Sequence, residues 1–414
     1  TEEVALPTAP HSVRVDLAEP AFSSPTSVTN PLFPISHLIS VVMLGTSDGE
    51  PFRTEVTLLP NTKTIEWNDR QIEVLASQYV AFVDGRIHEV ALDWYAQADD
   101  GSVWYLGEDV FNYEDGVVAD TEGTWMAGRD GPGAMIMPAN PQAGDVYRPE
   151  NAYPIVFEEV TVKSVGLTVD GPSGSVDGPS GSVDGAIVVE ELHMDGTYED
   201  KIFAPGYGEF STGSGANLEA VALAVSADQL TADLPAELGT LTAGAFELLV
   251  ADESVDRNEV SGTLEGITAA WEAYRSTGLP PMLERQMSDS LDTLTDAVAG
   301  SDATETNQAA INVGRASLDF ELRYRPAVEI DRDRFELWVR QLLLDAGSDD
   351  ASSVRGDVTA MEWVWNRFAH SMADAEGTSI ESHLGDLRAA ADAEDLAAVT
   401  EVGIPLLDLI VTSG

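Results

Sequence analysis

The sequence predicts an α+β chain, with an N-terminal antiparallel, curled β-sheet domain of half-barrel type followed by a C-terminal all-α helical bundle. Three observations predict it. Between residues 31 and 212, alternating or β-branched segments are separated by Asp-Gly pairs, whose tolerance of positive φ suits tight hairpin turns. After residue 216 the composition shifts to Ala, Leu and Glu. From residue 263 apolar residues recur at helical spacing, as at Leu283, Met287, Leu291, Leu294 and Val298, and again at Val354, Val358, Met361, Trp365, Phe368 and Met372.

Taken in order, residues 1–30 carry Pro7, Pro10, Pro20 and Pro25 among Ser and Thr and read as an extended, mostly uncovered leader. Residues 37–46, 51–59, 62–67 and 71–83 read as strands, with turns at Asp48-Gly49, Pro60-Asn61 and Asn68-Asp69. Residues 86–125 form an aromatic-rich meander around Asp84-Gly85, Asp100-Gly101 and Asp115-Gly116. Residues 126–154 are rich in Gly, Pro and Asn and read as a long loop covering the sheet. Strands at 155–169 and 186–192 flank DGPSGSVDGPSGSVDG, a doubled seven-residue unit read as a low-complexity hairpin extension. Residues 213–262 read as a connector with short helices, and 263–414 as five to seven helices broken at Gly278, Gly300, Pro326, Gly347, Gly377 and Gly403.

Composition narrows the function classes. The 72 acidic residues against 21 basic ones give a net charge of −51, which disfavours a nucleic-acid partner, because phosphate binding needs Lys and Arg. Only Lys63, Lys163 and Lys201 are lysines. With no cysteine there is no disulfide, thiolate metal site or thiol nucleophile. No apolar run reaches the roughly 18–20 residues of a membrane span. The opening TEEVALPTAPHS lacks the layout of a signal peptide and reads as a processed start; with the acidity and the Thr/Pro/Ser-rich leader, it points to a secreted or envelope-exterior protein.

The segments DWYAQADDGSVWYLGED (93–109), MPANPQAGDVYR (137–148) and YEDKIFAPGYGEF (198–210) resemble those of uncharacterised exported bacterial proteins whose final strands carry a tyrosine, a basic residue and an A-P-G-x-G turn. The motif is also similar to that of curled-sheet envelope lipoproteins. The resemblance covers roughly residues 30–212 and implies a curved antiparallel sheet but no reaction. The lipoproteins keep a lipidated N-terminal cysteine, which this chain lacks.

Candidate chemistry is spread along the chain. Asp93, Glu108, Asp109 and Glu114 lie among Trp94, Tyr95, Trp104 and Tyr113, the residue types of a glycosidase site, although carboxylates near aromatics also arise by chance in so acidic a chain. Asp99, Asp100, Glu108 and Asp109 offer oxygen ligands for a weak calcium site, as do Asp170, Asp177 and Asp184, without an EF-hand pattern. Glu362, Asn366 and His370 share a helical face, with His383 on the next helix. Arg323, Arg325, Arg332 and Arg334 form a basic patch, with Asp331 read as the cap of the following helix. Strict alternation places Trp94, Ala96, Trp104 and Leu106 on an apolar face, and Asp93, Tyr95 and Tyr105 on a mixed face read as the ligand-binding surface. The functional expectation is a noncatalytic exported or cell-surface binding protein for a small ligand or protein partner; the alternatives are an extracellular hydrolase and a structural accessory subunit.

Such a charge excess makes stability depend on screening. The melting temperature is expected to be several degrees higher in about 1 M KCl than in dilute buffer. Thermal denaturation at the two ionic strengths checks this, and equal values would mean that the charges are locally compensated.

Overall fold

The structure, a computed structural model, describes residues 6–173, 181–249 and 257–412. It is α+β: among the described residues fourteen strands form one open antiparallel sheet, and eight helices follow. The chain divides into two compact units, Thr1–Tyr113 with Val118–Ala227, and Glu114–Val117 with Asp228–Gly414.

The strands are β1 (Ser40–Ser47), β2 (Glu50–Trp67), β3 (Arg70–Val83), β4 (Arg86–Gln97), β5 (Val103–Glu114), β6 (Val117–Asp120), β7 (Trp125–Met126), β8 (Ala134–Met137), β9 (Val146–Ala152), β10 (Val156–Asp170), β11 (Ser182–His193), β12 (Tyr198–Ala204), β13 (Gly208–Ser214) and β14 (Asn217–Val225). Both residues of Asp48-Gly49, Asn68-Asp69, Asp84-Gly85 and Asp115-Gly116 take positive φ, as two-residue hairpin turns of this twist require. The result is two meanders. The first runs from β1 out to β6 and the second from β14 out to β9, and they join where β1 pairs with β14. The short β7 and β8 pair with β5. The sheet does not close, yet its two halves share one apolar core that includes Ile65, Trp94 and Trp104 from one and Tyr147, Val160, Val189 and Phe203 from the other.

Several expectations change on this frame. Residues 217–225 are not connector but the strand β14: Asn217–Ala220 pair with β13, Glu219–Val225 pair with β1, and Val221, Leu223 and Val225 are buried. Pro60-Asn61 does not end a strand; β2 runs through it, with a register shift between Leu58 and Thr62 where a missing N–H is tolerated. The described part of the leader is bonded to the sheet. Val15 N–H donates to the Val146 carbonyl at 2.9 Å, Gln97 accepts from the N–H groups of Thr29 and Asn30, and Val28 is buried. Of the doubled DGPSGSV unit, residues 174–180 lie outside the described residues.

The helices are α1 (Ala236–Leu248), α2 (Arg257–Arg275), α3 (Pro281–Gly300), α4 (Ala303–Glu321), α5 (Ala327–Gly347), α6 (Ala351–Phe368), α7 (Asp374–Asp392) and α8 (Leu396–Thr412). Most of the predicted stripes pack, with Leu283, Met287, Leu291 and Leu294 of α3 and Val354, Val358, Met361, Trp365 and Phe368 of α6 buried, while Val298 is half-buried and Met372, also half-buried, lies past the end of α6. Gly377 and Gly403 fall inside α7 and α8 and break neither. No helix among the described residues is long and apolar enough to cross a membrane.

Since β14 lies between β1 and β13, the sheet unit is complete only at residue 225. A chain ending at Ala227 is expected to give a strand-type circular dichroism spectrum and a single melting transition. One ending at Thr212 should lose that transition; cooperative melting of the shorter chain would mean that β14 is dispensable.

Candidate functional site: an acidic inner face

The site begins with the pairing of β4 and β5. Asp93 lies opposite Glu108, and Tyr95 opposite Tyr105, with a bulge between the two pairs. Strict alternation would send Tyr105 and Glu108 to opposite faces. The bulge brings them to one face, and Gly107 makes it, with φ near +130° and the Trp125 carbonyl so close that a β-carbon would stand 2.4 Å from it. Tyr105 donates to Asp93 Oδ1 at 2.8 Å, Tyr95 bonds the same carboxylate, and the two tyrosine rings stack at 4.9 Å. Trp125 meets Tyr105 edge-on at 5.6 Å.

The second meander brings further acids to this face. Glu158 of β10 pairs across the strands with Glu150 of β9 on one side and His193 of β11 on the other. Glu191 stands two residues before His193 and so shares its face. Glu108 and Glu150 are hydrogen-bonded, although β5 and β9 lie far apart along the strand order. His193 Nδ1 is 3.2 Å from Glu158 Oε1, and Lys201 Nζ is 2.7 Å from Glu191 Oε2. Farther round, Thr54 donates to Glu219. The exposure is graded: the Glu191 side chain is 3% exposed, Glu158 22% and His193 28%, so the cluster is closed on one side and open to water on the other.

Electrostatics follows from burial. Desolvation pushes Asp93 up to about 7 despite its bonds to Tyr105 and Tyr95. Desolvation and the Asp93 charge push Glu108 up to about 8. Glu150 is raised by burial and by the charges of Glu158 and Glu108, and Glu191 is pushed up to about 8 by burial and the Glu158 charge. Glu158 goes the other way. Burial would raise it, but hydrogen bonding from His193 and the charge of Lys201 outweigh that. Burial and mutual repulsion thus favour shared protons on this face, and Glu191 and Glu158 hydrogen-bond each other. Lys201 stays charged, since Glu191, Glu209 and Glu158 outweigh its own desolvation. Two buried donors on this face, Trp125 Nε1 and Tyr147 Oη, have no hydrogen-bond partner among the described residues.

Asp93, Tyr95 and Tyr105 thus come together as the alternation predicts, but all three are buried in the core and support the face from beneath rather than lining an open surface. The apolar face is covered as well: Lys63 Nζ lies 3.2 Å above the Trp94 ring, and Gly133 packs against Leu106 and Trp67. The start of the 126–154 segment therefore covers the tryptophan face, while β9 carries Glu150 and Tyr147 to the acidic one.

Asp177 lies outside the described residues, and the calcium candidates Asp99, Asp100, Glu108 and Asp109 do not gather. Asp99 accepts from Ser23, Asp100 from Ser102, and Asp109 stands 3.7 Å from Lys63, on the face away from Glu108. Among the described residues the one cluster with metal-ligand geometry is Glu158, Glu191 and His193. The helical candidates dissolve too. Glu362 pairs with Arg388 at 2.7 Å, and His370 lies in a 3-10 turn after α6. Arg334 is buried between Asp319 and Asp331, and Asp331 lies inside α5, which starts at Ala327 behind Pro326. Sequence reading passed over Glu150, Glu158, Glu191, His193 and Lys201. A visible signal was the Glu-x-His spacing at 191–193 on a strand, beside one of only three lysines. No protein-family model matches the chain, and no curated protein matches it.

Raised carboxyl pKa values mean that the folded protein holds protons the unfolded chain has released. Between the unfolded values near about 4 and the folded values of Asp93 and Glu108, these groups make stability fall as pH rises, and the contribution levels off above about 8. The double variant Asp93→Asn with Glu108→Gln, permanently neutral, is expected to show a shallower decline of melting temperature from about pH 5 to about pH 8 and to melt several degrees above wild type at the upper end. Parallel curves would show that the pair is already paired with cations in solution.

Proposed function

We propose that the protein is a noncatalytic exported or cell-surface binding protein that holds a small ligand rich in hydrogen-bond donors, an amine or a polyhydroxylated molecule, on the acidic inner face of its sheet. The observation carrying this reading is the imbalance of that face. Asp93, Glu108, Glu150, Glu158 and Glu191 converge on it against Lys201 and His193, and their oxygens form a dense field of acceptors. Carboxylates in low dielectric bind N–H and O–H donors strongly, and the partly exposed Glu158 and His193 give access from water. Trp125 Nε1 and Tyr147 Oη add two donors for a ligand hydroxyl or carbonyl. The exported location rests on the acidic composition.

Calorimetric titration with a linear polyamine and with neutral monosaccharides tests the reading at physiological salt. Binding of one class is expected, weakened about tenfold or more by Glu150→Gln and left unchanged by Asp109→Asn on the opposite face. Equal weakening by both substitutions would mean nonspecific attraction to the acidic surface. A second reading, glycoside hydrolysis, draws on the buried Asp93–Glu108 pair, whose raised values suit a shared acid and base. Turnover of aryl glycosides lost on Glu108→Gln would favour it over binding alone.

A further inference from the structure

We propose that Glu158, Glu191 and His193 form a binding site for one divalent first-row transition ion, such as zinc, manganese or cobalt, held between β10 and β11 with coordination positions left open to water. The ligand atoms of all three residues lie within 4.8 Å of one another. Two ligands about 2.1 Å from a metal ion stand roughly 3.0–3.4 Å apart in octahedral or tetrahedral geometry, and His193 Nδ1 and Glu158 Oε1 already stand 3.2 Å apart. Glu191, whose ligand oxygen lies within 4.8 Å of both, supplies the third corner. The scaffold is rigid, since all three come from one strand pair whose register fixes Glu158 opposite His193.

The donor set selects the metal. Two carboxylates and an imidazole suit zinc, manganese, cobalt or nickel, whereas calcium and magnesium take oxygen ligands. A second observation points to the same place. Tyr147, on the adjoining strand β9, is fully buried, its hydroxyl has no hydrogen-bond partner among the described residues, and it lies within the field of Glu191. A hydroxyl so placed can bond a metal-bound water, the usual partner of an open coordination position. Lys201 is the built-in competitor. Its ammonium holds Glu191 Oε2, so it fixes that carboxylate in place and also opposes a second cation. The site goes beyond the ligand reading above, because the metal alone is the probe.

The test uses the full chain stripped with chelator, in about 1 M KCl so that ions condensed on surface carboxylates are displaced. Titration with cobalt(II) is expected to give visible bands of a nitrogen-containing site, saturating at one ion per chain, and zinc should displace it. Calcium should not. His193→Ala and Glu158→Gln should each weaken zinc binding by at least about tenfold, with circular dichroism spectra like wild type. Absence of the cobalt bands in the wild-type protein overturns the proposal without recourse to a variant. So does zinc affinity unchanged by either substitution, or calcium displacing cobalt at equal concentration. Amine or sugar binding that persists in His193→Ala would leave the ligand reading standing while the metal site falls with its own test.

Discussion

Burying carboxylates on one face of a sheet is the constraint on which the rest of this unit depends. An isolated buried carboxylate is too costly to keep ionised, so each must be protonated, paired or bonded to a donor. The protein uses all three solutions within one connected set. Asp93 accepts from two tyrosines, Glu108 and Glu150 bond each other, Glu191 leans on Lys201, and Glu158 on His193. Removing one member strands its neighbours, which is why the pieces of the face cannot be assigned separate energies. The same connectivity keeps the face preorganised for whatever it holds.

The opposite solution appears in the helical unit. There the buried charges are arginines matched by carboxylates: Arg334 bonds Asp319 at 2.8 Å and Asp331 at 3.1 Å, and Arg367 approaches Asp331 at 3.5 Å. In that network two arginines face two carboxylates. Two buried polar clusters in one chain thus differ in kind, and the difference follows from their cations. Arginine forks cover several carboxylate oxygens each, while a single lysine among several glutamates cannot.

The fold class was legible because hairpin chemistry and helical periodicity are local. Asp84-Gly85 and Asp115-Gly116 state their turns in two residues, and the α6 stripe states its buried face in one helix. The site was half legible. Asp93, Tyr95 and Tyr105 follow from period two, but Glu108 joins them only through the bulge at Gly107, and a bulge shows in sequence as nothing more than a glycine inside a strand. Glu150, Glu158 and Glu191 were out of reach for another reason. Their convergence on Glu108 depends on how far the sheet bends back on itself, which no window of sequence encodes. Residues 219–225 misled because a short apolar run reads equally well as helix or strand until its partners are known.

The placement of β14 also has a consequence for how the chain is made. The first and last strands of the sheet unit are neighbours at its centre, with Ser40 paired to Val225, so the earliest strand on the ribosome waits for the latest. Roughly 185 residues must be added before that pairing can form, on the order of ten seconds or more of synthesis. Through that interval the first meander carries an open edge at β1, the kind of template that invites pairing with other nascent chains. High net negative charge is a general deterrent to such encounters, and here it acts before the fold it later burdens exists.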